Sequence, residues 1–310
     1  MNRARTEARR SLREPPGSFG SVEDEPRMDP SFIDTHVHCW DRTQIPYPWL
    51  DGFPAIAGRH TPVELRAEAG GRFPARILFV QGDCDRAHAF EEVRAAEALA
   101  DAEPAIGGIV AFAPMDRGAE TVAALDRLRA RPLLRGVRHL IQGEDDPDFC
   151  RRPAFIAGVR AAGARGLSFD ICVKHPQLAS AVDLARACPG TSLILDHAGK
   201  PDIRGRLLDP WRADLAALAR LPHVVCKLSG LVTEADPTAW TVDDLRPYFE
   251  HLVSCFGPTR LLFGSDWPVV KLAASYPRWL DAALTLLNPL PTADRDAVLA
   301  GNARRVYRLS

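Results

Sequence analysis

The chain has 310 residues, with 39 Lys or Arg against 40 Asp or Glu and a formal net charge of −1. That balance excludes a protein built mainly to hold a polyanion, since nucleic-acid binders carry a basic excess on one domain or face. Charged residues at 25% and hydrophobic ones at 46% are globular proportions, which excludes disorder over most of the chain.

Residues 1–30 are rich in Arg, Glu, Pro and Ser, with no apolar core of a secretion signal and no periodicity. They read as a disordered N-terminal tail. No apolar run reaches the about 20 residues that cross a bilayer, so no membrane partner is expected. The seven cysteines, at 39, 84, 150, 172, 188, 226 and 255, are odd in number and form no CxxC pair. Reduced, mostly buried thiols in a cytoplasmic protein follow.

From residue 31 short apolar, β-branched runs alternate with Ala/Leu/Arg-rich stretches. In chain order the strand-like runs are FIDTHVHCW (32–40), ARILFVQGD (75–83), IGGIVAFAP (106–114), LRGVRHLIQ (134–142), LSFDICVKH (167–175), SLILDHAGK (192–200), HVVCKLSGL (223–231) and RLLFGSDWP (260–268). Between them lie helix-like segments such as FEEVRAAEALADA, AETVAALDRLRAR, RRPAFIAGVRAAGA and QLASAVDLARAC. A helix between successive strands implies parallel pairing, and eight such units closing on themselves imply an α/β fold, a (β/α)8 TIM barrel, as one domain over 31–310. The loop 41–62, with its prolines and aromatics, is expected to cover the barrel mouth, and 200–222 is a second long connection, partly helical.

Active sites in this fold sit where the strands end. The first run ends in Asp34-Thr35-His36-Val37-His38. His36 and His38 are two apart, so both imidazoles point to one side of the strand, into the barrel, with Ile33 and Val37 directed toward the helices. Two imidazoles on one face are hard to satisfy in a core, because each ring needs a donor and an acceptor. His197 closes the sixth run and Asp266 the eighth. Three imidazoles and a carboxylate at one mouth can hold a divalent metal. The N/N/O set of His36, His38 and Asp266 suits zinc. The same residues can also serve without metal, with Asp266 as general base and the imidazoles as polarising donors.

Arg138, Lys174 and Lys227 sit on inward positions of their strands, and Gln81 closes the second. An interior cation is costly unless paired. Each therefore meets an internal carboxylate such as Asp34 or Asp170, or awaits an oxygen-rich ligand. Arg138, Trp40, Gln81 and Lys174 are the candidate substrate-binding residues, with Tyr47, Trp49 and Trp267 flanking them. His139 and His175 fall one residue out of phase and face the helices.

DTHVHCWD followed by YPWL, then LLRGVRHLIQ, GLSFDICV, LDHAGKP, CKLSGL, FGSDWPV and the closing NARRVYRL resemble the amidohydrolase superfamily, and within it the sugar-lactone hydrolase branch. The match covers essentially residues 31–310. The resemblance implies a cytoplasmic (β/α)8 barrel that hydrolyses a lactone ring to a hydroxy acid. By motif it implies His36, His38, His197 and Asp266 as the active-site set and Arg138 as a substrate-contacting arginine. One departure bears on the metal. Many members carry a carboxylated lysine and a histidine at the end of the fifth strand, whereas here that strand ends Val173-Lys174-His175-Pro176. A two-metal centre is therefore not expected, and a single divalent ion, zinc if any, is optional. The expected partner is a small-molecule lactone, without nucleic acid, and a homo-oligomer stays open. Two alternatives remain: a metal-dependent decarboxylase of the same superfamily, and a non-catalytic ligand-binding barrel.

Overall fold

In the computed structural model, which describes residues 32–309, each of the eight runs contains a strand. They are β1 (Ile33–Val37), β2 (Arg76–Val80), β3 (Ile106–Phe112), β4 (Leu134–Leu140), β5 (Ser168–Cys172), β6 (Leu193–Leu195), β7 (Val224–Leu228) and β8 (Leu261–Phe263). Neighbours in sequence are neighbours in the sheet, all parallel. The helices are α1 (Pro62–Ala69), α2 (Ala89–Ala102), α3 (Ala119–Arg129), α4 (Pro153–Ala164), α5 (Leu178–Ala187), α6 (Trp211–Ala219), α7 (Val242–Phe256), α8 (Tyr276–Leu287), α9 (Thr292–Asp296) and α10 (Asn302–Tyr307). The expected tail, residues 1–30, lies outside the described residues.

The barrel closes just past the end of β8. There the Asp266 N–H donates to the His36 carbonyl at 2.8 Å and the His38 N–H to the Trp267 carbonyl at 2.7 Å. The seam thus threads Asp266 between the two histidines by backbone bonds alone. Gly264 permits this approach, because a Cβ there would lie 2.9 Å from the His36 Cβ.

Three cores hold the scaffold. The main one fills the layer between sheet and helices, with residues such as Val37, Phe79, Val137, Phe169 and Phe263. A second fills the barrel itself below the site: Ile33, Leu78, Val80, Val110, Ile194, Val225 and Leu262, closed from beneath by Ala303, Tyr307 and Leu309. A third is formed by Trp40, Ile45, Tyr47, Leu50, Ile56 and Cys84, so the loop after β1 carries a small core of its own at the β1–β2 side of the mouth. The stretch 200–222 contains α6, as expected.

Ile33 corrects the sequence reading. It faces the barrel interior, not the helices. A register irregularity between Asp34 and Val37 inserts a phase shift, so Ile33, His36 and His38 all point inward while Val37 packs outward. All seven cysteines are free, six buried and Cys255 half-buried. Among the described residues, no helix is long and apolar enough to cross a membrane.

Candidate active site

The C-terminal ends of β1, β6 and β8 bring His36, His38, His197 and Asp266 together at the mouth. One Asp266 oxygen, Oδ1, lies 3.6 Å from His36 Nε2, 3.3 Å from His38 Nε2 and 3.9 Å from His197 Nε2. All four residues are buried. Burial alone would raise the Asp266 carboxyl, but His197, His38 and His36 together hold it well below the usual carboxylate range. Burial drives His197 down to about 4 despite Asp266, and it drives His36 well below its ordinary value with help from the Lys227 ammonium. Near neutral pH the site therefore pairs an ionised carboxylate with uncharged imidazoles at positions 36 and 197.

Local backbone strain marks the same place. Asp266 has φ +61° and His197 φ +53°, left-handed values that non-glycine residues seldom adopt. At His197 the turn has a clear purpose. Ile194 faces inward, so strict alternation would send Asp196 inward and His197 outward. The left-handed turn swings His197 into the mouth as well. Its ring packs against Gly230, itself at φ +66°, where a Cβ would meet the imidazole at 2.7 Å. His197 Nδ1 then pairs with the Ser229 hydroxyl at 2.9 Å.

The tautomer of His38 tests whether a cation fits. Its Nδ1–H donates to the Val80 carbonyl at 2.8 Å, so a neutral ring offers Asp266 only the Nε2 lone pair. A lone pair facing a carboxylate at 3.3 Å is stable only with a positive centre between them, a proton or a metal ion. The ligand atoms of His36, His38 and Asp266 all lie within 4.8 Å of one another, as do those of His36, Asp196 and His197. The donor set therefore fits one divalent ion.

Beneath the histidines lies a closed ionic network. Lys227 Nζ meets Asp170 at 2.6 Å and Asp196 at 2.9 Å, and Arg138 Nη1 meets Asp196 at 3.1 Å. Two cations and two carboxylates balance. Both cations also reach His36, Lys227 at 3.1 Å from Nδ1 and Arg138 at 3.3 Å from Nε2. Burial would raise Asp196, but Lys227, His36 and Arg138 keep it ionised. Asp170 is pushed up to about 6 by burial, against the pull of Lys227, and accepts the Tyr307 hydroxyl at 3.3 Å.

Of the residues expected from sequence, Arg138 is here, paired with Asp196 and donating to the Gln81 carbonyl at 2.5 Å. Gln81 is buried with its amide Nε2 unpartnered. Trp40 is buried in the loop core, its ring nearly parallel to His38 and its N–H spent on the Ile56 carbonyl. Lys174 is exposed beyond the end of β5 and joins no side chain of the cluster. Asp34, named as an internal partner for a cation, faces outward and accepts from the Ser265 N–H at 2.8 Å. His139 packs outward among Phe112, Phe149 and Phe155, as its phase predicts. Asp196 was missed, although its inward phase from Ile194 was readable.

A family model described as Amidohydrolase matches residues 33–309. L-Fucono-1,5-lactonase of Burkholderia multivorans is 35% identical, over 89% of this chain and 96% of that protein. L-Rhamnono-gamma-lactonase of Scheffersomyces stipitis is 25% identical, over 66% of this chain and 69% of that one. An amidohydrolase from Burkholderia multivorans, solved with bound zinc, superimposes with a TM-score of 0.81 at 34% identity, covering 90% of this chain and 100% of that one. With the barrel, the strand-end histidines and the eighth-strand aspartate in place, the chain belongs to the amidohydrolase family.

Proposed function

We propose that the protein opens the ring of a sugar-acid lactone by attack of water on the ester carbonyl. The observation that carries this reading is the convergence of three imidazole Nε2 atoms on one ionised carboxylate, Asp266, at the barrel mouth. The lactonases among its relatives supply the substrate class.

Asp266 takes a proton from water as the water oxygen bonds to the carbonyl carbon. With Ser229 donating to Nδ1, His197 keeps its proton on Nε2 and stabilises the developing oxyanion by a hydrogen bond from that N–H, without transferring the proton. The ring C–O bond then breaks, and the proton on Asp266 passes to the departing alkoxide, leaving the hydroxy acid. Ester cleavage needs only modest leaving-group help, and a base and an oxyanion donor supply roughly 10²–10⁴-fold each. A divalent ion held by His36, His38 and Asp266, zinc by its donor set and by analogy with the Burkholderia structure, would add Lewis-acid polarisation of the carbonyl. The proton path through Asp266 is available with or without it.

The test is a pH-indicator assay over a panel of aldono-lactones, run with and without chelator. Lactone opening releases acid. Uptake of protons with release of CO₂ from an aromatic acid would favour the decarboxylase instead, and no reaction with any lactone would overturn the proposal.

A further inference from the structure

The turn after β2 holds a carboxylate that the hydrolytic chemistry leaves unused. Asp83 stands two residues beyond the Gln81 carbonyl that accepts from Arg138, and three beyond the Val80 carbonyl that accepts from His38. It has φ +59°, a strained value for a residue other than glycine. The turn is clamped from several sides. Glu92 accepts the Gly82 N–H at 2.8 Å, the Gln81 side-chain oxygen accepts the Asp83 N–H at 2.6 Å, and the Trp49 indole donates to the Gly82 carbonyl at 2.8 Å. Glu92 is fixed in turn by the Tyr47 hydroxyl at 3.0 Å.

All this order positions a carboxylate that, among the described residues, takes no hydrogen bond and forms no ion pair. Asp83 is half-buried, and its electrostatic neighbours are Arg138, Arg86, His139 and His38. The neighbouring Gln81 Nε2 is a buried donor without an acceptor. An unpartnered acceptor beside an unpartnered donor is what adjacent hydroxyl groups satisfy, since each hydroxyl both donates and accepts. Strain kept to hold such a pair at a barrel mouth points to a ligand.

We propose that Asp83, with Gln81 beside it, binds the ring hydroxyls of the substrate and so selects polyhydroxylated lactones over unsubstituted ones. The proposal rests on the lactonase reading and names the group that reads the sugar. Asp83→Asn tolerates the left-handed backbone, and Asp83→Gly removes the side chain without strain. Either variant should lower kcat/KM for an aldono-1,5-lactone by roughly 10- to 100-fold, chiefly through KM, the range for a lost hydrogen bond to a charged group. Turnover of δ-valerolactone, which has no ring hydroxyl, should stay within about two-fold of wild type. Equal losses on both lactones, or no loss on either, would overturn the proposal. A second arm is independent of turnover: calorimetric titration with a neutral pyranose that shares the ring hydroxyls and lacks the carbonyl. Weaker binding by the variants supports the subsite, whereas equal affinities, or no binding by the wild type, contradict it. If the wild type hydrolyses no lactone, the lactonase reading falls and the titration still decides the role of Asp83.

Discussion

Lys227→Met removes the charge at the centre of the buried network while keeping a side chain of similar length. Lys227 has no exposed surface, and its ammonium lies 2.6 Å from Asp170 and 2.9 Å from Asp196. Removing one partner of a buried ion pair costs about 3–5 kcal/mol, because the other charge stays in a low-dielectric interior. Two features place this case at the lower end. Arg138 remains to meet Asp196, and Asp170, already pushed up to about 6, takes up a proton once Lys227 is gone. A loss of about 3 kcal/mol in a domain of this size lowers the thermal midpoint by roughly 6–12 °C at pH 7. The pH dependence has a definite sign. Carboxyls whose folded pKa is raised stabilise the fold below their unfolded value, and that contribution is lost as pH rises through the folded value. Losing Lys227 raises Asp170 further and lifts Asp196 from its depressed value, so the gap between variant and wild type should narrow toward pH 5 and widen toward pH 8. Differential scanning calorimetry across that range measures it. A midpoint within about 2 °C of wild type at pH 7, or a gap that widens toward acid, would refute the reasoning.

Glu92→Gln should flatten the pH dependence of stability. Burial pushes the Glu92 carboxyl up to about 7, so its contribution is present below the ordinary value near 4.5 and lost as pH rises through 7. Between pH 4 and pH 8 the variant should gain roughly 3 kcal/mol on the wild type in chemical denaturation, and parallel curves would contradict this. Gly230→Ala places a methyl 2.7 Å from the His197 ring at φ +66°. It should lower kcat by on the order of 10²-fold by displacing the imidazole while circular dichroism stays native. His38→Ala should reduce zinc retained after dialysis against zinc, measured by elemental analysis, to well below one per chain. Full retention would remove His38 from the ligand set.

The eight strands were legible because parallel barrel strands are buried on both faces and read as continuous β-branched runs between helical repeats. The site histidines and Asp266 were legible because the fold restricts chemistry to strand ends. What sequence missed has physical causes. The phase shift in β1 is a backbone irregularity with no side-chain signature, so Ile33 was assigned to the wrong face. His197 enters the mouth through a left-handed turn, which breaks the alternation that Asp196 beside it still follows, so the strand pattern does not show that both side chains reach the interior. Arg138 and Lys227 were seen as interior cations, but their partner Asp196 came from a different strand and could be paired only in three dimensions. Lys174 carried the inward phase of β5, yet that strand ends at Cys172 and the side chain turns to solvent.

The measurement closest to the central claim is the turnover of Asp266→Asn on the best lactone of the panel. Asparagine keeps the shape of the side chain and tolerates the φ of +61°, but it cannot take a proton from water. The account predicts a native thermal midpoint, to within a few degrees, and a fall in kcat of on the order of 10³-fold or more. A folded variant that turns over at close to the wild-type rate would show that the proton goes elsewhere, and the assignment of Asp266 as base would fall.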